Sequence, residues 1–161
     1  MGEVVTTRPV SDADADDLIA LVGEAYDEYP GCVLDLDDLD RDLLQPATAI
    51  ERVGGRWWVV EDAGRVVGSI AASDIDEQRD VELKRLYVAS THRRRGVAAH
   101  LVAEVEAHAR RLGARRVVLW TDSRFTQAHR LYQRLGYLDT GEQRELDDLS
   151  NTTELGFVKP L

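Results

Sequence analysis

The sequence has little of what a disulfide-stabilised, zinc-binding or membrane-spanning protein needs. Cys32 is the only cysteine among the 161 residues, so no internal disulfide can form, and no Cys/His cluster has zinc spacing. No apolar stretch approaches the ~18 residues that span a bilayer. The start, MGEVVTTRPV, lacks the apolar run of a signal peptide. These absences predict a cytoplasmic protein without a metal site or a membrane partner.

Basic charge and linker sequence are also scarce. The 20 Lys and Arg residues against 30 Asp and Glu residues give a net charge of −10, which repels nucleic acid at long range and predicts no nucleic-acid partner. The four prolines are scattered, and neither repeats nor low-complexity segments occur. With 43% hydrophobic and 31% charged residues, the composition predicts a single folded domain over 1–161.

Apolar periodicity predicts the first elements. Val4 to Thr6 favour a strand, and the spacing of Ser11 and Asp14 is that of a capping box that opens an acidic helix ending near Pro30. A short second helix is predicted in DLDDLDRDLL, stopped by Pro46.

The middle of the chain predicts a β-hairpin and an irregular strand. WWVVEDAGRVVGSIAAS has two apolar runs around Asp62-Ala63-Gly64, the pattern of a hairpin. In VELKRLYV the apolar residues change parity between Leu83 and Leu86. A strand with strict alternation cannot bury both on one face, so we expect a bulge near Lys84 or Arg85.

In the second half of the chain, predicted helices alternate with predicted strands. The patterns predict a helix from Gly96 to Leu112, a strand in RRVVLWT, a helix ended by Gly136, and two last strands near 137–140 and 154–158. The strand–helix–strand unit implies one parallel pairing. The fold class is therefore α+β, with a mixed, mostly antiparallel sheet of six to seven strands and about four helices.

A basic turn precedes the helix that follows the bulged strand. Ser90-Thr91-His92-Arg93-Arg94-Arg95-Gly96 leads into a helix N-terminus, where unpaired N–H groups and the helix dipole suit a phosphate or pyrophosphate. A solvated basic turn explains the same residues equally well. Neither GxGxxG nor GxxxxGK[ST] occurs, so the turn is not a dinucleotide fingerprint or a Walker loop.

Two longer segments resemble a known superfamily. ELKRLYVASTHRRRGVAAHLV is similar to the acyl-coenzyme A binding motif of the GNAT N-acetyltransferases, whose pattern Arg/Gln-x-x-Gly-x-Gly/Ala is matched by Arg93, Gly96 and Ala98. AHRLYQRLGY resembles their second coenzyme segment, A-x-x-L-Y-x-x-x-G-F/Y. Together the motifs cover about 81–137, with one strand between them as in the superfamily.

The resemblance implies the GNAT fold with a splayed parallel strand pair, and acetyl-CoA as co-substrate without a metal. It implies that the backbone of Leu86 to Val88 binds the pantetheine arm and polarises the thioester, while the backbone N–H groups from Arg94 to Ala99 hold the pyrophosphate. The coenzyme-binding residues implied in this way are Leu86, Tyr87, Val88, Arg93, Arg94, Arg95, Gly96, Val97, Ala98, Ala99, Ala128 and Tyr132.

Two side chains are implied to carry the chemistry. Tyr132 matches the superfamily tyrosine that protonates the departing coenzyme A thiolate; as a residue it is also consistent with a core aromatic of an amphipathic helix. Glu82 lies where several members carry the base that deprotonates the amine, and an exposed strand carboxylate is the alternative. Phe125 departs from the pattern, because many members have Asn there.

The expected activity is transfer of an acetyl group to a primary amine of a small molecule or peptide, by direct attack. The alternative is a non-catalytic acyl-CoA-binding module. An acceptor site is expected at Tyr26, Tyr29 and Asp35, because the acidic second-helix region would attract a cationic amine; a solvated acidic helix is the competing interpretation. Superfamily habit also suggests a homodimer.

Overall fold

We describe the chain from a computed structural model, which covers residues 5–161. Val4, part of the predicted first strand, lies outside the described residues. Seven strands and four α-helices occur in the described part. The strands are β1 (Thr6–Pro9), β2 (Arg56–Asp62), β3 (Arg65–Ala72), β4 (Asp80–Val88), β5 (Arg116–Asp122), β6 (Leu138–Glu145) and β7 (Thr153–Pro160). The helices are α1 (Ala15–Asp27), α2 (Pro46–Arg52), α3 (Val97–Arg111) and α4 (Thr126–Arg134).

All seven strands form one sheet in the order β1-β2-β3-β4-β5-β7-β6. Neighbouring strands are antiparallel except for β4 and β5, which pair in parallel from Asp80↔Arg116 to Leu83↔Leu119. Helix α3 connects these two strands. The predicted fold class is confirmed, including the number of helices and the parallel pair.

The predicted hairpin and bulge are both present. β2 and β3 are joined at Ala63 and Gly64, which both have positive φ as a tight turn between twisted strands requires. Ser69 of β3 pairs with Tyr87 of β4, and Ala71 of β3 pairs with Lys84 of β4. Two steps along β3 therefore correspond to three steps along β4, so β4 carries an extra residue. Arg85, with φ 55°, is at this bulge.

Two apolar clusters cover the two faces of the sheet. One includes Leu18, Leu21 and Val22 of α1 packed on Trp57 and Val59 of β2. The other joins α3 and α4 to the opposite face; its members include Leu101, Val105, Leu119, Tyr132, Tyr137 and Phe157. The Ser11–Asp14 capping box that opens the first helical segment is present as predicted.

The predicted second helix in 35–44 is wrong. Turns occupy this acidic segment, followed by a 3₁₀ segment Arg41–Leu44, and Pro46 begins α2 instead of ending a helix. Aspartate side chains explain the difference, because they bond backbone groups in place of helical carbonyls: Asp40 accepts from the N–H of Asp35 at 2.9 Å, and Asp35 from that of Asp37 at 3.3 Å. Proline is favoured at the first position of a helix.

Candidate active site

The sheet opens between β4 and β5. Their parallel pairing ends at Leu83↔Leu119, although β4 continues to Val88 and β5 to Asp122. The bulge at Arg85 bends β4 away at this point, while β5 stays paired with β7 along its whole length. The last residues of β4 therefore pair with β3 on one side only, and their other edge faces a cleft.

The N-terminus of α3 lies at this cleft without a side-chain cap. The first helical N–H bonded within α3 is that of His100, which donates to the carbonyl of Gly96 at 3.0 Å. The N–H groups of Val97, Ala98 and Ala99 precede it. Arg94 and Gly96 have φ 61° and 77°, the left-handed conformation that turns successive backbone N–H groups toward one concave site.

Three acidic side chains hold the basic turn 90–96 in place. Glu24 of α1 accepts from the N–H of Ser90 at 2.9 Å, and Glu28 pairs with Arg93. His92 Nε2 lies 2.6 Å from Asp62 Oδ2 at the end of β2. The hydrogen bond from Ser90 lowers the pKa of Glu24. These contacts fix the beginning and the middle of the turn, at Ser90, His92 and Arg93.

A cavity of about 750 Å³, here called the coenzyme cavity, lies between this turn, β4 and α4. Ten of the residues predicted to bind coenzyme line it: Leu86, Tyr87, Val88, Arg93, Arg94, Gly96, Val97, Ala98, Ala99 and Ala128. Arg95 and Tyr132, also predicted, are not part of this lining among the described residues.

A second cavity of about 440 Å³, here called the acceptor cavity, lies on the other side of the splayed strands. Leu86, Tyr87, Phe125 and Ala128 line both cavities, so the two meet where β4 and β5 separate. The walls of the acceptor cavity come from residues 32–42, which include most of the acidic segment 35–44, from the ends of β4 and β5, and from the segment 144–154. Two compounds bound in the two cavities would approach each other at the four shared residues.

Tyr132 lines the acceptor cavity near this junction. Tyr132 is 5% exposed, and no buried side-chain oxygen of residues 5–161 lacks a hydrogen bond, so its unbonded hydroxyl reaches the surface of the cavity. Burial raises the pKa of Tyr132, so the phenol keeps its proton at neutral pH. The ring packs edge-on against Tyr137 at 5.8 Å between centroids, which fixes its position. A protonated, unpartnered hydroxyl at this place is equipped to donate a proton.

Glu82 lies on β4 beside Val118 of β5 and lines the acceptor cavity. Its carboxylate is 3.6 Å from the ammonium of Lys84 and keeps 30% of its side-chain surface exposed. The backbone N–H of Glu82 donates to Ser73 Oγ at 2.8 Å, which ties this part of β4 to the end of β3. The carboxylate is thus available to a bound amine.

Arg85 was not recognised as a site residue from the sequence. Its guanidinium donates to Asp40 Oδ1 at 2.9 Å and to Asp42 Oδ1 at 2.5 Å, and also to the carbonyl of Leu39 at 3.1 Å. The bulge residue therefore holds the acidic segment over the acceptor cavity. The parity change in β4 indicated a bulge, but nothing in the sequence indicated the partners of Arg85.

The predicted acceptor residues lie in different places. Tyr26 and Asp35 line the acceptor cavity; the Tyr26 hydroxyl is 3.3 Å from Asp40 Oδ1 and 3.4 Å from the hydroxyl of Tyr87. Burial raises the pKa of Tyr26. Tyr29 lines the coenzyme cavity instead, with its ring 4.8 Å from that of Phe125. Phe125, which replaces a polar residue of the motif, thus packs as an aromatic partition between the cavities.

Two further observations concern the part of the chain that the structure describes. In residues 5–161, no group of three or more His, Cys, Asp or Glu side chains is arranged to hold a metal ion. Over the same range, no helix has the length and apolar character to cross a membrane.

Comparison with known proteins places this geometry in a family. The model of the Acetyltransferase (GNAT) family matches residues 18–137, so the chain belongs to that family. The chain is 34% identical to human (Homo sapiens) N-acetyltransferase 8 over 128 residues, covering 76% of this chain and 54% of that protein. It is 37% identical to rat (Rattus norvegicus) N-acetyltransferase family 8 member 2 over 107 residues, covering 64% and 47%. The chain thus spans about half the length of these relatives.

Solved structures share the fold over nearly the full chain. A GNAT-family acetyltransferase from Staphylococcus aureus Mu50 superposes with a TM-score of 0.83 at 18% identity, covering 98% of this chain and 99% of that one. YncA from Salmonella typhimurium, solved with its cofactor acetyl-CoA, gives a TM-score of 0.75 at 21% identity, covering 98% and 94%. At these identities the likeness establishes the fold.

Proposed function

We propose that this chain is an acetyl-CoA-dependent N-acetyltransferase that acetylates a primary amine of a small molecule or peptide. The observation that carries the proposal is the meeting of two unlike cavities at the splayed strands, with Tyr132 at the junction. Family membership supports the same activity, as do the names of the relatives and the acetyl-CoA in YncA.

The residues present fit coenzyme A. The uncapped N-terminus of α3, together with the left-handed Arg94 and Gly96, offers backbone N–H groups to a pyrophosphate. The free edge of β4 from Leu86 to Val88 offers peptide groups to the amides of a pantetheine arm. When bound, acetyl-CoA supplies the activated acyl group as a thioester.

In the proposed reaction the nitrogen of the neutral amine attacks the thioester carbonyl directly. The C–N bond forms and the C–S bond breaks, without a covalent acyl-enzyme. Glu82 removes a proton from the ammonium form of the acceptor, which gives the neutral amine that attacks. Tyr132 donates its phenolic proton to the departing thiolate and regains one from the nitrogen, which carries an extra proton after the attack. Backbone N–H groups at the free edge of β4 stabilise the developing negative charge on the carbonyl oxygen.

A non-catalytic acyl-CoA-binding module is the second candidate, and Phe125 is the residue that favours it. Its ring lies between the two cavities in place of a polar motif residue. The two functions differ in one measurable property, because a module binds acetyl-CoA and releases no thiol with any amine.

The decisive experiment is calorimetric titration with acetyl-CoA, followed by thiol release across an amine panel. We expect micromolar binding that Gly96→Asp weakens more than about 100-fold, because a carboxylate at the helix N-terminus repels pyrophosphate and the residue must adopt positive φ. Gly141→Asp is the matched control: Gly141 has the same φ of 77° and equally open space, but lies in β6.

Equal loss of affinity in both glycine variants would assign the effect to backbone strain and overturn the pyrophosphate site. No binding of acetyl-CoA by the unmodified protein would refute the proposed function. Homodimer formation and cytoplasmic location stay predictions.

A further inference from the structure

Lys84 brings a primary amine to the wall of the acceptor cavity. It follows Leu83, the last residue of β4 that pairs with β5, and it lines the cavity together with Glu82 of the same strand. Its side chain is 51% exposed. The nucleophile of the proposed reaction is a primary amine, so the folded chain itself places one beside the opening between the splayed strands.

The chain contains one other lysine, and the two differ in how firmly they are held. The ammonium of Lys159 donates to Glu106 Oε1 at 2.8 Å and lies 5.7 Å from the centre of the Tyr137 ring. Glu106 is buried, and Lys159 lines neither the coenzyme cavity nor the acceptor cavity. Lys159 is therefore fixed in place outside the site.

The ammonium of Lys84 is held loosely. Among residues 5–161 its ionic partner is Glu82, whose Oε2 lies 3.6 Å from Lys84 Nζ, beyond hydrogen-bond length. A half-exposed ion pair of this kind contributes little to stability, because solvent screens both charges. The flexible four-carbon stem of the lysine can therefore carry the amine from Glu82 toward the junction of the cavities at little cost.

Glu82 is also the group that removes a proton from the acceptor ammonium in the proposed reaction. The same carboxylate contacts the ammonium of Lys84, so this side chain has both a neighbouring base and a place in the acceptor cavity. A tethered amine needs no binding step, and its effective concentration is on the order of millimolar or higher. When no acceptor fills the cavity, Lys84 is the amine of the chain that is best placed to react.

We propose that Lys84 is a site of self-acetylation in the protein loaded with acetyl-CoA. This inference rests on the proposed function and adds a modification of the chain itself. Glu82 takes one proton from the Lys84 ammonium, and the neutral nitrogen attacks the thioester carbonyl. The C–N bond forms and the C–S bond breaks, while Tyr132 protonates the thiolate and regains the proton that the nitrogen loses. The products are N-acetyl-lysine at position 84, free coenzyme A and one proton, which Glu82 releases to solvent.

Acetylation changes the acceptor cavity in two ways. The positive charge of Lys84 is lost, so Glu82 loses this ion pair, and the added acetyl group takes up room in the cavity. A loaded protein without an acceptor thus converts itself into a form with a narrower and less cationic acceptor cavity.

Mass spectrometry of peptides tests the proposal. The protein is incubated, without added amine, with acetyl-CoA that carries a deuterated acetyl group, and the label is followed on each lysine. The isotope separates this reaction from acetyl groups that were attached during expression. We expect Lys84 to be labelled at least about tenfold faster than Lys159, with a rate constant that does not change with protein concentration, because the reaction is intramolecular.

Arg52→Lys is the matched control, because it introduces an exposed lysine in α2 outside both cavities. Lys84 should also be labelled about tenfold faster than this lysine. The N-hydroxysuccinimide ester of acetic acid, applied to the protein without acetyl-CoA, measures the accessibility of each amine and should label the two at comparable rates. Gly96→Asp should abolish the preference for Lys84 with acetyl-CoA and leave labelling by the ester unchanged.

Three results would overturn self-acetylation at Lys84. These are labelling by acetyl-CoA no faster than that of the lysine introduced at position 52, a rate constant that rises with protein concentration, and an equal preference for Lys84 with the ester. Thiol release with an added amine while Lys84 stays unlabelled refutes this inference alone and supports the proposed function. Failure to bind acetyl-CoA refutes the proposed function itself.

Discussion

The two cavities on either side of the splayed strands are built from different chemical groups. The coenzyme cavity presents backbone N–H groups and small residues of the continuous segment 86–99, held by Glu24, Glu28 and Asp62, and residues from 25–29 and 125–134 complete its walls. The acceptor cavity presents charged side chains from segments far apart in the chain, held by Arg85 and the contact between Val33 and Ser150. A backbone site accepts any side chain that permits its conformation, whereas a side-chain site changes with each substitution. The coenzyme cavity is therefore suited to a co-substrate that is the same for different acceptors, and the acceptor cavity is suited to one particular acceptor.

Arg85→Met gives the largest expected effect and tests whether the two halves are independent. Removing the guanidinium leaves Asp40, which is 3% exposed, without its cation and should lower the free energy of unfolding by about 3 kcal/mol. Denaturant unfolding measures this loss. The acceptor KM rises because the acidic segment is released, while the affinity for acetyl-CoA stays within about threefold.

Arg41→Met is the control for Arg85, because it removes an exposed cation from the same acidic segment. It should leave stability unchanged within about 0.5 kcal/mol. A large loss of acetyl-CoA affinity in Arg85→Met would show that the halves are coupled through the bulge.

Tyr132→Phe is next, with an expected fall in kcat of about 100-fold at unchanged acetyl-CoA affinity, because only proton donation is removed. Steady-state kinetics combined with calorimetry separate the two quantities. Tyr137→Phe is the matched control, since that buried hydroxyl donates to Glu106 at 3.2 Å outside both cavities. Comparable kcat losses in both variants would reduce Tyr132 to a packing residue.

Glu82→Gln should lower kcat/KM about tenfold at neutral pH. This is below the usual range for a general base, because other carboxylates line the same cavity. The deficit shrinks as pH rises, since the acceptor amine then loses its proton to solvent. A pH–rate profile measures this recovery, with the exposed Glu77→Gln as control. A deficit that is constant with pH contradicts a base role.

Glu24→Gln has the smallest expected effect and concerns only the coenzyme half. The N–H of Ser90 lowers the pKa of Glu24, so this carboxylate stabilises the fold above its unfolded pKa of about 4.3, and the contribution is lost as pH falls through the lower folded value. A slightly lower Tm is expected at pH 7, and no difference is expected at an acid pH at which Glu24 is protonated in the folded protein as well. Thermal melts at both pH values, beside exposed Glu51→Gln, provide the check; a difference that persists in acid excludes the charge as its cause.

The contrast between the halves also explains how far the sequence could be interpreted. The turn 90–96 and its helix form one contiguous segment, so the motifs could identify ten of the nineteen residues that line the coenzyme cavity, and the parity change in VELKRLYV indicated the bulge. The contact of Arg85 with Asp40 joins residues 45 positions apart, and that of Val33 with Ser150 residues 117 apart. Local patterns contain no information on such pairs.

The error in segment 35–44 has the same origin. Leucines at helical spacing predicted a helix, but the aspartates between them bond neighbouring backbone groups and Arg85. Tyr29 was grouped with Tyr26 by proximity in sequence, although α1 ends between them and their side chains line different cavities. Side-chain direction at a helix end depends on the exact residue at which the helix stops.

The bulge at Arg85 has a consequence for exchanging parts between family members. The bulge opens the sheet between β4 and β5, and the Arg85 guanidinium holds the acidic segment. A transplanted segment 35–44 therefore needs only carboxylates that reach one guanidinium, and the strands beneath it can stay as they are. Deleting one residue between Lys84 and Leu86 would instead restore regular pairing along β4 and close the junction of both cavities. Acceptor preference can therefore be redesigned by replacing segment 35–44, but not by shortening β4.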